Sequence, residues 1–438
     1  MKQYFAQITV TEVLIEACLG MPHAFRNDAP RKSQARIMKQ KDFSETAALQ
    51  AQSSGSSRQE IDSDWQGGVR RRSFLKGLGI VGATLLPTSA LLMTKAKAQE
   101  DKSQGKLTKG DADILRFLAW AELVEADLWT QYNELGGAQK PDETNTPNAG
   151  NGPYKAALQN LDGDMPQYIT DNTQDEITHA AFLNAYLGSH GAQPVVFPTA
   201  FFRSTGSSAT GADLPRINTR LTTLLHLNVN TSFYTRYRSN ENPDLGATFT
   251  GPVIINDRKG IPQSNADDPP PSEHIQAIAN TAAFHFAFIE VGGSSLYPTL
   301  ALKVTSLEVL RIVLSIGGTE IDHFSLWHDK LAGAVTAVSS GGFAVTDPVT
   351  GLAFPDLSTN PTELTQINKI LAEPCDFLSK SLPEVSVIRP VSTKNSGAVA
   401  AFNAFKADGL FHDQKDDFLN FGMELAEAAD AAEREREG

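Results

Sequence analysis

Cysteine is nearly missing from this chain of 438 residues: Cys18 and Cys375 are the only two. Two distant thiols make neither a disulfide framework nor a paired-cysteine metal knuckle. An excess of positive charge is missing too. Lys and Arg number 38 against 51 Asp and Glu, a formal net charge of −13, whereas nucleic acids and anionic membrane surfaces require basic patches. Long apolar runs are scarce. The best of them, Gly77–Met93, is at the short limit for a membrane span and is interrupted by glycines and Pro87.

That stretch has a better reading than an anchor. Arg70-Arg71-Arg72-Ser73-Phe74-Leu75-Lys76 precedes it and Ala96-Lys97-Ala98 follows it. The order is a charged region, a moderately apolar segment and a small-x-small cleavage site. Arg71–Lys76 resembles the twin-arginine export signal of bacteria, a route for already folded proteins. The expectation is a signal peptide over 70–98 and a mature chain beginning near Gln99, periplasmic or extracellular and without lasting membrane association. Residues 1–69, polar and aperiodic, read as a disordered leader (Met38 is an alternative start) rather than a domain.

Beyond the signal, four long helical patterns are expected: about 108–135, 165–187, 272–297 and 306–331. Glycine or proline punctuates each, at Gly136-Gly137, Gly188, Pro269-Pro270-Pro271, Pro298 and Gly333. Together they mark a helical domain over 107–335. Its insertion, 190–271, is rich in Gly, Ser, Pro and Asn and holds one expected helix, 221–237. A long crossover there suits second and third helices that run parallel. Residues 336–438 form a mixed extension, with expected helices near 361–381 and from Asp416 onward.

The chemistry lies in the seams. At alternating spacings of four and three, the first helix turns inward Leu118, Ala121, Glu125, Leu128 and Tyr132. The second turns inward Ile169, Asn172, Glu176, His179 and Leu183. The third presents Ala283, Phe286, Glu290, Gly293 and Tyr297, and the fourth Val313, Ile316, Glu320, His323 and Trp327. Metal-type side chains thus interrupt the apolar stripe that a bundle buries. Two Glu-x-x-His tetrads, Glu176–His179 and Glu320–His323, are each preceded by a seam glutamate, Glu125 or Glu290. A single tetrad is commonplace. Two on seams, in halves that repeat each other, are not.

Buried carboxylates without partners are strongly unfavourable or become protonated. Four glutamates and two histidines facing one core therefore call for cations, and four carboxylates balance two divalent ions. The expected ligands are Glu125, Glu176, His179, Glu290, Glu320 and His323. Glu122, beside the seam, is expected in an outer role. The hydroxyls of Tyr132 and Tyr297 are expected to reach toward bridging ligands. His285 and His328 read as ordinary packed or surface histidines.

On these residues the chain resembles the ferritin-like superfamily, which includes ferritin, bacterioferritin and rubrerythrin, over about 108–335. The carrying motifs are Glu125-x6-Tyr132, both Glu-x-x-His tetrads, and Glu290-Val-Gly-Gly-Ser-Ser-Leu-Tyr297. The last is similar to the third helix of an exported, desiccation-related branch. The resemblance implies an all-α, antiparallel four-helix bundle holding two iron ions, or manganese as in catalase-like relatives. It implies oxidation of metal, or reduction of peroxide or dioxygen, in an oxidative or desiccation stress role. The alternative is a non-enzymatic, metal-stabilised structural or protective bundle. Mineral storage is not expected, because the insertion and extension would obstruct a storage shell.

Overall fold

A hydroxyl starts the first helix. Thr108 Oγ1 accepts from the Asp111 amide at 3.1 Å, opening α1 (Lys109–Gly136). The computed structural model describes residues 107–138, 150–198, 201, 203–237, 250–269, 272–333, 344–355, 381 and 396–435. The expected leader, the export segment 70–98 and the expected helix near 361–381, residue 381 apart, lie outside them. A short helix, α2 (Gly152–Gln159), follows in the connection between the first two long helices. Asn151 caps it, with its side chain accepting from the Tyr154 amide. Next comes α3 (Met165–Ser189). After the insertion, α5 (Ser272–Ala301) and α6 (Leu307–His328) complete the bundle, and a π turn over Asp329–Gly333 ends α6.

Helix directions follow from which residues meet. Thr170 bonds Asn133 while Thr173 bonds the Trp129 carbonyl, so α1 and α3 are antiparallel. Asn172 meets Trp327 and Asp175 meets His323, so α3 and α6 are antiparallel. Tyr132 meets His285 and Glu122 meets Tyr297, which sets α5 against α1. Hence α3 and α5 run parallel, and the insertion returns the chain along the bundle between them. The four helices enclose an apolar core in which Trp129 stacks on Trp327 at 5.5 Å. No helix among the described residues is long and apolar enough to cross a membrane.

The insertion does not form the helix expected over 221–237. It makes strand β1 (Leu227–Asn230), one helical turn α4 (Phe233–Arg236) and strand β2 (Ile254–Arg258), with β1 and β2 pairing antiparallel. Leu227 and Val229 are buried while Asn228 and Asn230 are half-buried, a period of two rather than 3.6. Buried polar contacts hold the insertion to α1. The Arg220 guanidinium donates to Glu134 at 2.6 Å, and Asp127 accepts from the Leu221 and Thr222 amides and from Arg216.

The extension packs on the bundle. Helices α7 (Ala398–Ala407) and α8 (Asp416–Asp430) and the turn between them bring Phe402, Phe405, Phe411 and Phe418 around Trp120 of α1, with ring centroids 5.5 to 6.2 Å away. Gly422 of α8 lies against the Trp120 ring, where a Cβ would come within 2.6 Å. The Asp430 carboxylate accepts from the Ala398 and Val399 amides, both at 2.9 Å, and so caps α7.

Two buried histidines give the fold an acid-sensitive element. Burial pushes His285 down to about 3 and His328 down to about 4. His328 donates through Nε2 to the Tyr234 carbonyl at 2.9 Å and stacks on that ring. Both are neutral in the fold, whereas the unfolded chain takes up protons near pH 6.5. Their contribution is therefore intact above about pH 6.5 and is lost progressively as pH falls toward 4 and then 3. At pH 5 each is expected to cost about 2 kcal/mol relative to neutral pH. Urea melts of the wild type and of His328→Gln should show the variant losing less stability between pH 7 and 5; equal losses would remove His328 from this role.

Candidate metal centre

Midway along the bundle, α1 contributes Glu122 and Glu125, α3 Glu176 and His179, α5 Glu290, and α6 Glu320 and His323. All are buried except His179, which is half-buried. Two donor groups result. In one, Glu122, Glu176, His179 and Glu320 bring ligand atoms within 4.8 Å of one another; in the other, Glu176, Glu290, Glu320 and His323 do the same. Donors 4.8 Å apart or closer can share an ion at ordinary metal–oxygen and metal–nitrogen lengths of about 2.0–2.6 Å. Glu176 and Glu320 belong to both groups, one from each Glu-x-x-His tetrad.

The histidines aim Nδ1 inward. His179 Nδ1 lies 3.3 Å from Glu122, 3.4 Å from Glu176 and 3.6 Å from Glu320. His323 Nδ1 lies 3.2 Å from Glu176 and 3.3 Å from Glu290. Both Nδ1 atoms, both Glu320 oxygens and one oxygen each of Glu122, Glu176 and Glu290 have no hydrogen-bond partner. Seven buried, unpartnered donor atoms converging on two points fit a pair of cations. Oxygen and imidazole donors suit divalent first-row metal ions.

The surroundings hold these ligands in place. Asn172 Nδ2 donates to Glu176 at 2.9 Å and to Glu290 at 3.0 Å, and its own Oδ1 accepts from Trp327 Nε1 at 2.7 Å. Nε2 of His323 meets Asp175 at 3.2 Å, which turns Nδ1 toward the carboxylates. The Tyr297 hydroxyl donates to Glu122. Gly293 lies where any Cβ would overlap a Glu320 oxygen, and a Cβ at Gly317 would come within 2.6 Å of Tyr297. These two glycines let α5 and α6 approach closely at the ligands.

Burial and mutual repulsion dominate the electrostatics of the protein alone. Burial, then the Glu176 charge, pushes Glu122 up to about 8. Burial and neighbouring carboxylates raise Glu125 and Glu320 well above the usual range, and burial raises Glu290. Glu176 is the exception. Burial raises it, but the imidazoles of His179 and His323 outweigh that and hold it low. Burial lowers His179, yet its contacts with Glu122 and Glu176 push it up to about 10. Burial and mutual repulsion thus oppose ionisation of four of the five carboxyls in the protein alone, and a cation would relieve that opposition.

The expected ligands are brought together with one change. Glu125 belongs to neither donor group, and Glu122, expected in an outer role, stands in the first. The reason lies in α1, which is buried nearly all round from Ile114 to Gly136 because α8 covers the side that the bundle leaves open. An apolar stripe cannot then say which buried face meets the bundle axis. The breadth of that stripe, with Phe117, Trp120 and Trp129 off the seam, is the signal that could have shown this. Tyr297 was expected to reach toward bridging ligands; its hydroxyl meets Glu122, which belongs to one donor group and is not shared. Tyr132 reaches no ligand; its hydroxyl meets His285 Nδ1 at 2.8 Å, beyond the donor groups. Asn172 and Asp175 were passed over as site residues, although Asn172 sits on the α3 seam.

A sequence model of the ferritin-like domain matches residues 110–333, slightly more than half of the chain and the whole bundle with its crossover. Comparison with curated proteins and with solved structures found no match. A helical bundle with two Glu-x-x-His tetrads, donors from four helices and that family match together place this chain in the ferritin-like family.

Proposed function

We propose that the protein is an exported di-metal carboxylate oxidoreductase that holds two iron ions, or manganese, and reacts with peroxide or dioxygen in oxidative or desiccation stress. The observation that carries this reading is the pair of donor groups sharing Glu176 and Glu320, since shared carboxylates keep two ions adjacent. Two adjacent redox-active ions supply the two electrons that an O–O bond takes up. The chain's own part is to hold and orient. Glu122 with His179, and Glu290 with His323, would each serve one ion. The four carboxylates offset four positive charges, and Tyr297, Asn172 and Asp175 orient the ligands. The export signal resembled by Arg71–Lys76 supports a folded, metal-loaded protein outside the cytoplasm.

The test is direct. Protein loaded anaerobically with ferrous iron should bind two ions per chain and change its visible absorbance within seconds of receiving hydrogen peroxide. Two bound ions with no absorbance change and no peroxide consumed would instead make the metal purely structural, its removal only lowering the melting temperature. The mass of the secreted chain tests export: cleavage near Ala98 is expected.

A further inference from the structure

A cavity of about 40 Å³ lies between α5 and α7, on the side of the bundle that the extension covers. A buried cavity needs about 10–15 Å³ to hold one water, so this one accommodates a small molecule. Its wall is mostly hydrocarbon, with Phe288 and Leu296 on α5 facing Ala401 and Phe405 on α7; Asp408 and two serines complete it. At its inner side stands Glu125, only 5 % exposed and without a hydrogen bond or ion pair among the described residues. That carboxyl is close enough to the centre to feel the charges of Glu176, Glu122 and Glu290. Gly293, also on the wall, lies directly against Glu320.

On the cavity wall, Gly292 has no packing reason to be glycine. A Cβ there would meet nothing within 4 Å, unlike at Gly293, and glycine within a helix sacrifices stability relative to alanine. What the absent side chain leaves is space on the cavity wall. A cation is a poor occupant, because Glu125 joins no group of three donors and a hydrocarbon wall opposes charge. The geometry points to this cavity as the vestibule through which a small neutral molecule with an O–O bond, dioxygen or hydrogen peroxide, reaches the carboxylate centre, with Gly292 setting its width. This rests on the oxidant chemistry proposed above, and it gives the extension a role in access.

Two measurements test it. Crystals of the metal-free protein pressurised with xenon should show the gas between Gly292 and Ala401, and Gly292→Leu should abolish it. In stopped flow, ferrous-loaded Gly292→Leu should keep two ions per chain yet react at least about tenfold more slowly with dioxygen, with peroxide, or with both; which rates fall identifies the oxidant that uses the path. Ala401→Leu fills the cavity from the opposite wall and should act alike, covering the case in which the first variant folds poorly. Wild-type rates with both oxidants in a variant that has lost its xenon would overturn the vestibule and leave the oxidant chemistry standing. A wild-type protein that binds two ions but reacts with neither oxidant would remove that chemistry, and the vestibule with it.

Discussion

Glu176→Ala is expected to cost the protein both metal ions, whereas Glu122→Ala costs one and Glu125→Gln none. Glu176 belongs to both donor groups, Glu122 to one, and Glu125 to neither. Changing even an outer partner of a ligand shifts metal affinity by about 10–100-fold, so loss of a shared ligand should exceed that. Elemental analysis of variants loaded with excess ferrous iron and then desalted reads the outcome. Near-ultraviolet circular dichroism would confirm that each variant is folded. A Glu125 variant that lost an ion while a Glu122 variant kept both would show the first-helix ligand to be misassigned.

The same carboxylates predict a crossing of stabilities. Both oxygens of Glu320 are buried without a hydrogen-bond partner, and its pKa is raised well above the usual range by burial and by Glu176, Glu290, Glu122 and Glu125. In the metal-free protein this repulsion works against folding, so Glu320→Gln should melt higher than the metal-free wild type. With metal present the order should reverse, because the amide is a poorer ligand. Parallel melting curves with and without a chelator would show the crossing.

Truncating Trp120 to alanine should destabilise the protein by about 3–5 kcal/mol, the usual range for removing a large buried aromatic. Trp120 is fully buried, with four phenylalanines of the extension arranged round it and Phe117 stacked beside it at 5.6 Å. These rings join α1 to the extension, so limited proteolysis should release fragments from 396–435 early. Phe182→Ala is the control. That ring is 49 % exposed, and a change of about 0.5 kcal/mol or less is expected for such a surface site. A Trp120 variant as stable as the control would mean that the extension is not part of the core.

Bundle and tetrads were legible because their patterns are long and periodic. In α6, Val309, Val313, Ile316, Glu320, His323 and Trp327 are all buried, as the seam required. Glu290, with His323 and Asn172 around it, follows equally from its stripe. The first helix was harder. The apparent repeat of Glu125-x6-Tyr132 with Glu290-x6-Tyr297 drew attention to Glu125, whereas the donor groups take in Glu122, because a residue's distance along its own helix does not reveal which neighbour it faces. Glu122 is chosen by long-range contacts, His179 on one side and Tyr297 on the other. The insertion was misread for a different reason. Short strands carry few periods, and Leu227–Asn230 offers only two buried positions.

Trp120 is enclosed by rings that lie between residues 402 and 418, and the donors of the centre run from 122 to 323. A nascent chain therefore holds its first helix unfinished through most of its synthesis, with a large indole exposed until the last aromatic partners arrive. Contacts so distant in sequence slow folding. A ribosome product that stopped short of residue 402 would carry every ligand and still lack the clasp on its first helix, leaving it a ready target for proteases.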